Sequence, residues 1–266
     1  MAGALEAIGQ QADEILGDAG DAVTRAAEEL PAFARLLRRE PRLRLALTDI
    51  TLGPAAKREL LSTLLADRVA PVTLELGSLL ADRLLAPEEL QGAADDMAVR
   101  GMLAGAEASG TLEEVEDELF RFARIVDGNG PLFAALTNPV LPDEVRDGLV
   151  VDLLRGRARP ETVEVVRFAL ETRGRRDPGQ VLAELAETAA SRRGLVMVEA
   201  RSAVPIDVQR QARLRDVLTR LVGKPVKLEV VVDPAVGGGV VARVGNELID
   251  GTVRRKLELA LEELTG

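Results

Sequence analysis

The chain has 266 residues, with 34 Lys and Arg against 44 Asp and Glu, so its formal charge is 34 − 44 = −10. Net acidity repels a phosphate backbone, so the composition argues against a nucleic-acid-binding protein. The sequence contains no His and no Cys. This excludes a Ser-His-Asp triad, a thiolate nucleophile, a disulfide scaffold and the usual zinc sites.

The N-terminal stretch MAGALEAIGQQADEIL does not have the pattern of a signal peptide. It has no basic region, and Gln10, Gln11, Asp13 and Glu14 interrupt its apolar residues. Nowhere does the sequence hold an apolar run long enough to span a bilayer. At 47% hydrophobic and 29% charged residues, the composition is typical of a soluble globular protein without direct membrane insertion.

Residues 29–76 repeat further along the chain at a constant shift of 89 residues, without a gap. The repeated residues include types that are rare in this composition, such as Phe33 with Phe122 and Thr73 with Thr162. Both copies show the apolar spacing of short amphipathic helices, which predicts antiparallel helical bundles. We interpret the pattern as an internal duplication, with one bundle over residues 1–90 and a second over 91–193.

Local signals place the helices within each copy. Thr111 and Glu114 have the spacing of a capping box, and Pro142 and Pro160 each stand where a further helix begins. In the first copy, Pro31 falls inside the apolar pattern, so we expect it to bend or shorten that helix.

After Gly194 the apolar period changes from that of a helix to that of a strand. Asp207 is a predicted N-cap of the one amphipathic helix that follows the first strand. The predicted strands lie in LVMVEARSAV, Val226–Val232, Val240–Val244 and Glu247–Asp250, with a Gly-Asn turn at 245–246 and a last helix over 253–264. The overall prediction is an α+β, mostly α chain: a duplicated antiparallel helical bundle, followed by a small C-terminal module of four strands and two helices over residues 194–266.

Three consecutive glycines, Gly237 to Gly239, lie between two of these strands. A phosphate-binding loop needs a helix directly after its glycines, and the Walker type also needs a lysine. Here a strand follows and no lysine is present. The glycines therefore predict a chain reversal with positive φ angles.

The last seventy or so residues hold a pattern of acidic, glycine, apolar and basic positions: Asp233, Pro234, Gly238, Gly239, Arg243, Gly245, Ile249, Asp250, Gly251 and Arg254. This pattern resembles the C-terminal signature of the ATP synthase delta subunit family, which includes the mitochondrial oligomycin-sensitivity-conferring protein. The run SAVPI at 202–206 and the stretch from Leu136 to Pro139 are similar to two further stretches of that family. Gly237 and Ala242 depart from the signature, since larger apolar residues are usual at these positions.

The resemblance covers roughly residues 95–266 and implies a non-catalytic subunit of the peripheral stalk. Such a subunit binds the N-terminal helix of an alpha subunit through its helical domain and the b subunit through its C-terminal domain. It resists torque at the cytoplasmic face of the cell membrane, and it needs no catalytic residue, cofactor or metal. The extra copy at the N-terminus exceeds the ordinary family length and resembles the longer delta subunits of actinobacteria.

In the family, the alpha helix lies in a groove formed by the first and fifth helices of the bundle. By position these correspond to residues 97–103 and 163–170, and the candidate contacts are Met102, Val163, Val166 and Leu170. The simpler interpretation of each is a plain core residue. Arg243 and Arg254 are candidates for contact with acidic residues of the b subunit, or else cations on a solvated strand and helix.

Two other classes of function stay open at this point. One is a helical scaffold or regulator unrelated to ATP synthase. The other is a magnesium enzyme that uses the acidic run from Glu113 to Glu118, although an exposed helix face is the simpler interpretation of that run.

Overall fold

The computed structural model describes residues 2–65, 68–83, 85–172, 176–236, 238–244 and 247–250. Its contacts divide the chain into two compact units, Met1–Ala189 and Ala190–Gly266. Helices make up the first unit: α1 (Ala2–Asp18), α2 (Ala22–Arg39), α3 (Pro41–Thr48), α4 (Pro54–Leu65), α5 (Pro71–Ala81), α6 (Pro87–Ala108), α7 (Leu112–Asp127), α8 (Gly130–Thr137), α9 (Asp143–Leu154), α10 (Pro160–Thr172) and α11 (Pro178–Arg192). None of the described helices is both long and apolar enough to cross a bilayer.

Equivalent side chains make the same hydrogen bonds in the two copies. The Glu29 carboxylate on α2 accepts from the Ala70 N–H and from the Thr73 hydroxyl, both at 2.7 Å. At the shift of 89 residues, the Glu118 carboxylate on α7 accepts from the Arg159 N–H at 2.9 Å and the Thr162 hydroxyl at 2.5 Å. Each carboxylate satisfies a free N–H at the start of α5 or α10, where a helix has no internal acceptor. This recurrence is what an internal duplication requires.

Helix α6 is shared between the two copies. The same shift of 89 residues relates α1 to α6 and α6 to α11. Accordingly α6 packs against α1, α2, α3 and α5 of the first copy, and against α7 and α10 of the second. The predicted boundary between residues 90 and 91 falls inside this helix, and the division of the chain into three domains stays a prediction.

Three local expectations are wrong. Thr111 makes no capping hydrogen bond, because its buried hydroxyl instead donates to the Ala106 carbonyl at 3.2 Å, at the end of α6. Pro31 lies inside α2, which continues to Arg39, so the predicted shortening is wrong, whereas the alternative of a bend stays a prediction. The acidic run of α7 is not an exposed face throughout. Glu116 is fully buried, and Glu118 accepts hydrogen bonds at the start of α10 from the Arg159 N–H and the Thr162 hydroxyl. Among the described residues, no three carboxylates form a group that could hold a metal ion.

The second unit contains a mixed four-stranded sheet in the order β2-β1-β3-β4. Strand β1 pairs parallel to β2 and antiparallel to β3, and β3 pairs antiparallel to β4. Helix α12 connects β1 to β2, as a parallel pair requires, and packs on the sheet through the buried Leu218. The elements are β1 (Val196–Ser202), α12 (Val208–Val222), β2 (Val226–Val232), β3 (Val240–Val244) and β4 (Glu247–Asp250).

The glycine-rich stretch reverses the chain between β2 and β3. Gly238 and Gly239 have φ angles of 113° and 86°, so the predicted positive φ angles are confirmed at these two residues. Asp207 caps α12 as predicted, accepting from the Arg210 N–H at 2.9 Å. The predicted Gly-Asn turn, the last helix and Gly237 lie outside the described residues. The predicted fold class, mostly helical with a small α+β module at the C-terminus, is confirmed.

Candidate functional site

The structure brings together the two helices predicted to form the partner groove. Helix α6 packs against α10, and apolar side chains of both are fully buried. They are Val99, Leu103 and Ala106 on α6, and Val165, Phe168 and Ala169 on α10. We call the surface formed by this helix pair the α6–α10 groove.

The four candidate contacts on these helices differ in burial. Val166 is fully buried and belongs to the packed core of the helical unit. Met102, Val163 and Leu170 are half-buried and keep some accessible surface. Leu170 lines a cavity of about 520 Å³ together with Leu136 and other residues of α2, α9 and α10. Only the half-buried residues could touch a partner without the core being opened.

A charged pair closes one wall of this cavity. The Arg167 guanidinium donates to the two oxygens of Asp147 on α9, at 2.5 and 2.8 Å. These hydrogen bonds raise the pKa of Arg167, so its cation is fixed in place on α10. Val163 and Leu170 are seven residues apart on the helix and therefore share a face with each other.

Helix α2 of the first copy packs along α6, and arginine side chains near its C-terminal end reach α10. The pair formed by α2 and α6 is the most extensive helix–helix contact in the described part of the chain. Two glycines on α6 permit the close approach: a Cβ at Gly101 would lie 2.4 Å from a Leu30 methyl carbon, and one at Gly105 would lie 2.7 Å from the Ala27 Cβ. Gln91 adds a hydrogen bond of 3.1 Å to the Ala34 carbonyl.

The C-terminal end of α2 carries two arginines that reach both walls of the groove. Arg38 donates to both oxygens of Asp95 on α6 at 2.7 Å and lies 3.7 Å from Glu171 on α10. Arg35 pairs with Glu171 at 2.9 Å, and its guanidinium stands 5.2 Å from the centre of the Phe168 ring. Cation–π and bidentate ion-pair contacts thus fix α2 against both helices.

The contacts of α2 involve functional candidates that the sequence interpretation missed. Phe168 and Glu171 contact Arg35 of α2, whereas no such contact involves the predicted Val166, which is fully buried. The spacing of Gly101 and Gly105 by one helical turn is the one signal that could have indicated a close helix contact. Nothing in the sequence connects Arg35 with Glu171, which are 136 residues apart.

A half-buried cation on α6, Arg100, joins this helix to α1. Arg100 pairs with Asp96 at 2.7 Å and also with Asp13 of α1. Burial opposes the charge on Arg100, yet the two carboxylates together raise its pKa. This cluster borders an open cleft of about 1080 Å³, lined by both apolar and charged residues of α1, α6, α10 and α11.

Matched glycine substitutions on α6 test the close approach of α2. We expect Gly105→Ala to lower the free energy of unfolding by about 1–2 kcal/mol, because the new methyl group would overlap Ala27. Gly92→Ala is the control, since a Cβ there meets nothing within 4 Å. It should raise stability by up to about 1 kcal/mol through helix propensity. Urea denaturation followed by circular dichroism measures both, and the same sign for both variants would contradict the packing.

In the second unit, Arg243 lies on β3 directly opposite Glu199 of β1. The two side chains form a long ion pair of 3.9 Å, and the guanidinium is 44% exposed. Arg201 binds the other oxygen of Glu199 at 2.6 Å. Arg243 therefore has surface left for an acidic partner. The second candidate, Arg254, lies outside the described residues.

The family profile of the ATP synthase delta (OSCP) subunit matches residues 101–264. Relatives named ATP synthase subunit delta extend the similarity over the first copy. One from Frankia casuarinae is 44% identical, over 90% of this chain and 87% of its own length. One from Salinispora arenicola is 42% identical, over 91% of this chain and 89% of its own length. One from Streptomyces griseus is 37% identical, over 99% of this chain and 97% of its own length.

Among solved structures, a chain of the Toxoplasma gondii mitochondrial ATP synthase hexamer is similar at 15% identity and a TM-score of 0.42, over 63% of this chain and 95% of that one. The profile match covers more than half of the sequence, and the actinobacterial relatives align along nearly all of it. The chain therefore belongs to the ATP synthase delta (OSCP) subunit family.

Proposed function

We propose that this chain is a non-catalytic stator subunit of the rotary ATP synthase, which joins the catalytic head to the peripheral stalk and resists torque. The observation that supports the proposal is that the two predicted groove helices, α6 and α10, pack against each other and carry half-buried apolar side chains at Met102, Val163 and Leu170. Helix-in-groove binding buries apolar area without any chemistry, which is what a persistent mechanical link requires.

In this proposal the helical unit binds the N-terminal helix of the alpha subunit. Met102, Val163 and Leu170 are the proposed contacts, because their side chains are half-buried and keep accessible surface. Val166 supports them from beneath as a core residue.

The C-terminal unit then binds the b subunit. Arg243 presents an exposed cation on the sheet, and Arg254 is proposed to act with it toward acidic residues of the stalk. The chain would lie at the cytoplasmic face of the cell membrane as a peripheral part of the complex, with neither nucleic acid nor inserted membrane segment involved.

Site-specific photo-crosslinking in purified ATP synthase tests the proposal. A photoreactive residue in place of Val163 should form an adduct with the alpha subunit, and one in place of Arg243 should form an adduct with the b subunit. A photoreactive residue at the exposed Gln10 of α1 is the control and should give neither adduct at comparable yield. If affinity purification of the chain recovers no ATP synthase subunit, the alternative of an unrelated helical scaffold replaces this proposal.

A further inference from the structure

Helix α12 of the second unit packs on the sheet along one side and leaves much of its surface exposed. Leu218 is the buried residue of this helix, and Leu214 and Val222, one turn away in either direction, pack against the same core. Two large apolar side chains of α12 nevertheless stand in solvent, since Val217 is 51% exposed and Leu221 is 63% exposed. Four residues apart, they are neighbours on the helix surface.

Arginine side chains flank this exposed apolar pair. Arg213 and Arg220 lie four residues before and three residues after Val217, so these three residues are neighbours on the helix surface. Both arginines are exposed, and no ion pair with a described residue involves either of them. We call the surface formed by Arg213, Val217, Arg220 and Leu221 the α12 face.

The charge of α12 is opposite in sign to that of the whole chain. The helix carries four arginines and one aspartate, whereas the formal charge of the chain is −10. The aspartate, Asp216, directly precedes Val217 and therefore points about 100° away from it around the helix axis. A cationic surface beside apolar side chains complements a helix that presents carboxylates beside its own apolar residues.

A pattern of basic and apolar residues also suits an anionic lipid surface. Two observations favour a protein partner instead. The net charge of −10 means that an extended anionic bilayer repels the chain as a whole, whereas a single acidic helix meets the α12 face alone. The exposed apolar pair is also short, and membrane binding of a helix grows with the apolar area that it buries.

We infer that the α12 face binds an acidic amphipathic helix, and that this helix belongs to the b subunit. The inference rests on the proposed binding of the b subunit by the C-terminal unit, and it adds a second face to that binding. Ala242 of β3 belongs to the core beneath α12, so the next residue, Arg243, points to the opposite side of the sheet. Arg243 and the α12 face would therefore contact different parts of the stalk.

Photo-crosslinking in the purified ATP synthase distinguishes the α12 face from the rest of the helix. A photoreactive residue in place of Val217 should form an adduct with the b subunit in several-fold higher yield than one in place of Val208. Val208 is the matched control, because it is the same residue type on the same helix and is 82% exposed. Nine positions before Val217, it points in the opposite direction. Equal yields at the two positions would overturn the inference.

Charge reversal tests the contribution of the arginines. Arg213→Glu and Arg220→Glu should each raise the Kd of the full-length chain for the soluble domain of the b subunit by about tenfold in calorimetry. Arg215→Glu is the control, since Arg215 is exposed on the same helix but lies outside the α12 face. Circular dichroism checks that each variant is folded, and an Arg→Gln substitution replaces any that is not. If reversal at 213 and 220 weakens binding no more than reversal at 215, the inference is wrong.

The remaining outcomes separate the inference from the proposed function. If a photoreactive residue at position 243 crosslinks to the b subunit and one at 217 does not, the stator role stands and the α12 face is not a docking surface. If neither position crosslinks to the b subunit, the proposed binding of that subunit fails and the inference fails with it. If the unmodified chain binds phosphatidylglycerol vesicles and the Arg213→Glu variant does not, the α12 face serves a lipid surface, which also overturns the inference.

Discussion

Replacing Val166 with Asp should unfold the helical unit rather than merely weaken a contact with a partner. Val166 is completely buried on α10, so the new carboxylate would lie in the apolar core without a designed partner. We expect a loss of about 3–5 kcal/mol in the free energy of unfolding, the range for an uncompensated buried charge. Because the chain has no Trp and no Tyr, circular dichroism during urea denaturation is the suitable measurement.

Val163→Asp provides the control for this prediction. Val163 lies on the same helix but is half-buried, so its new carboxylate can reach water. The expected loss is about 1 kcal/mol, typical of a partly exposed substitution. Equal unfolding midpoints for the two variants would show that Val166 is not in the core.

Removing the Glu118 carboxylate should have the second largest effect. Glu118→Ala leaves the Arg159 N–H and the fully buried Thr162 hydroxyl without their acceptor. Two unsatisfied donors predict a loss of about 2–3 kcal/mol. The equivalent Glu29→Ala substitution should give a similar loss in the first copy, because the same two hydrogen bonds exist there.

Glu114→Ala is the matched control on the same helix. It removes one exposed ion pair of 3.2 Å to Arg159, which is expected to change stability by less than about 1 kcal/mol. The unfolding temperatures of the unmodified chain and of the Glu118→Ala, Glu29→Ala and Glu114→Ala variants measure these effects. If Glu114→Ala lowered the stability as much as Glu118→Ala, the hydrogen bonds of Glu118 to Arg159 and Thr162 would not be what stabilises this contact.

Much of the secondary structure was predictable because the local signals are strong. Strands β2, β3 and β4 begin and end at the predicted residues, where β-branched runs meet turn residues. As expected, α10 begins at Pro160 and α9 begins directly after Pro142. The predicted capping box at Thr111 does not form, because the Thr111 hydroxyl instead donates to the Ala106 carbonyl at the end of α6.

The candidate site was less predictable, because it depends on contacts between distant segments. The family resemblance made Val166 a groove candidate, but the packing of α10 against its neighbours places this residue in the core. The repeated pair of Glu29 with Thr73, and of Glu118 with Thr162, was visible in the alignment of the copies as matching polar residues. The contact of α2 with α10 was not visible there, because Arg35 and Glu171 are 136 residues apart in the sequence.

The sharing of α6 has a mechanical consequence. This helix of 22 residues is about 33 Å long at the usual rise per residue, and both bundles are built on it. Two bundles joined by a loop could swing about that loop under a sideways pull. Here a force on either bundle is transmitted through one continuous α-helix. Because no loop interrupts this shared helix, we expect the two bundles to resist bending as one rigid body.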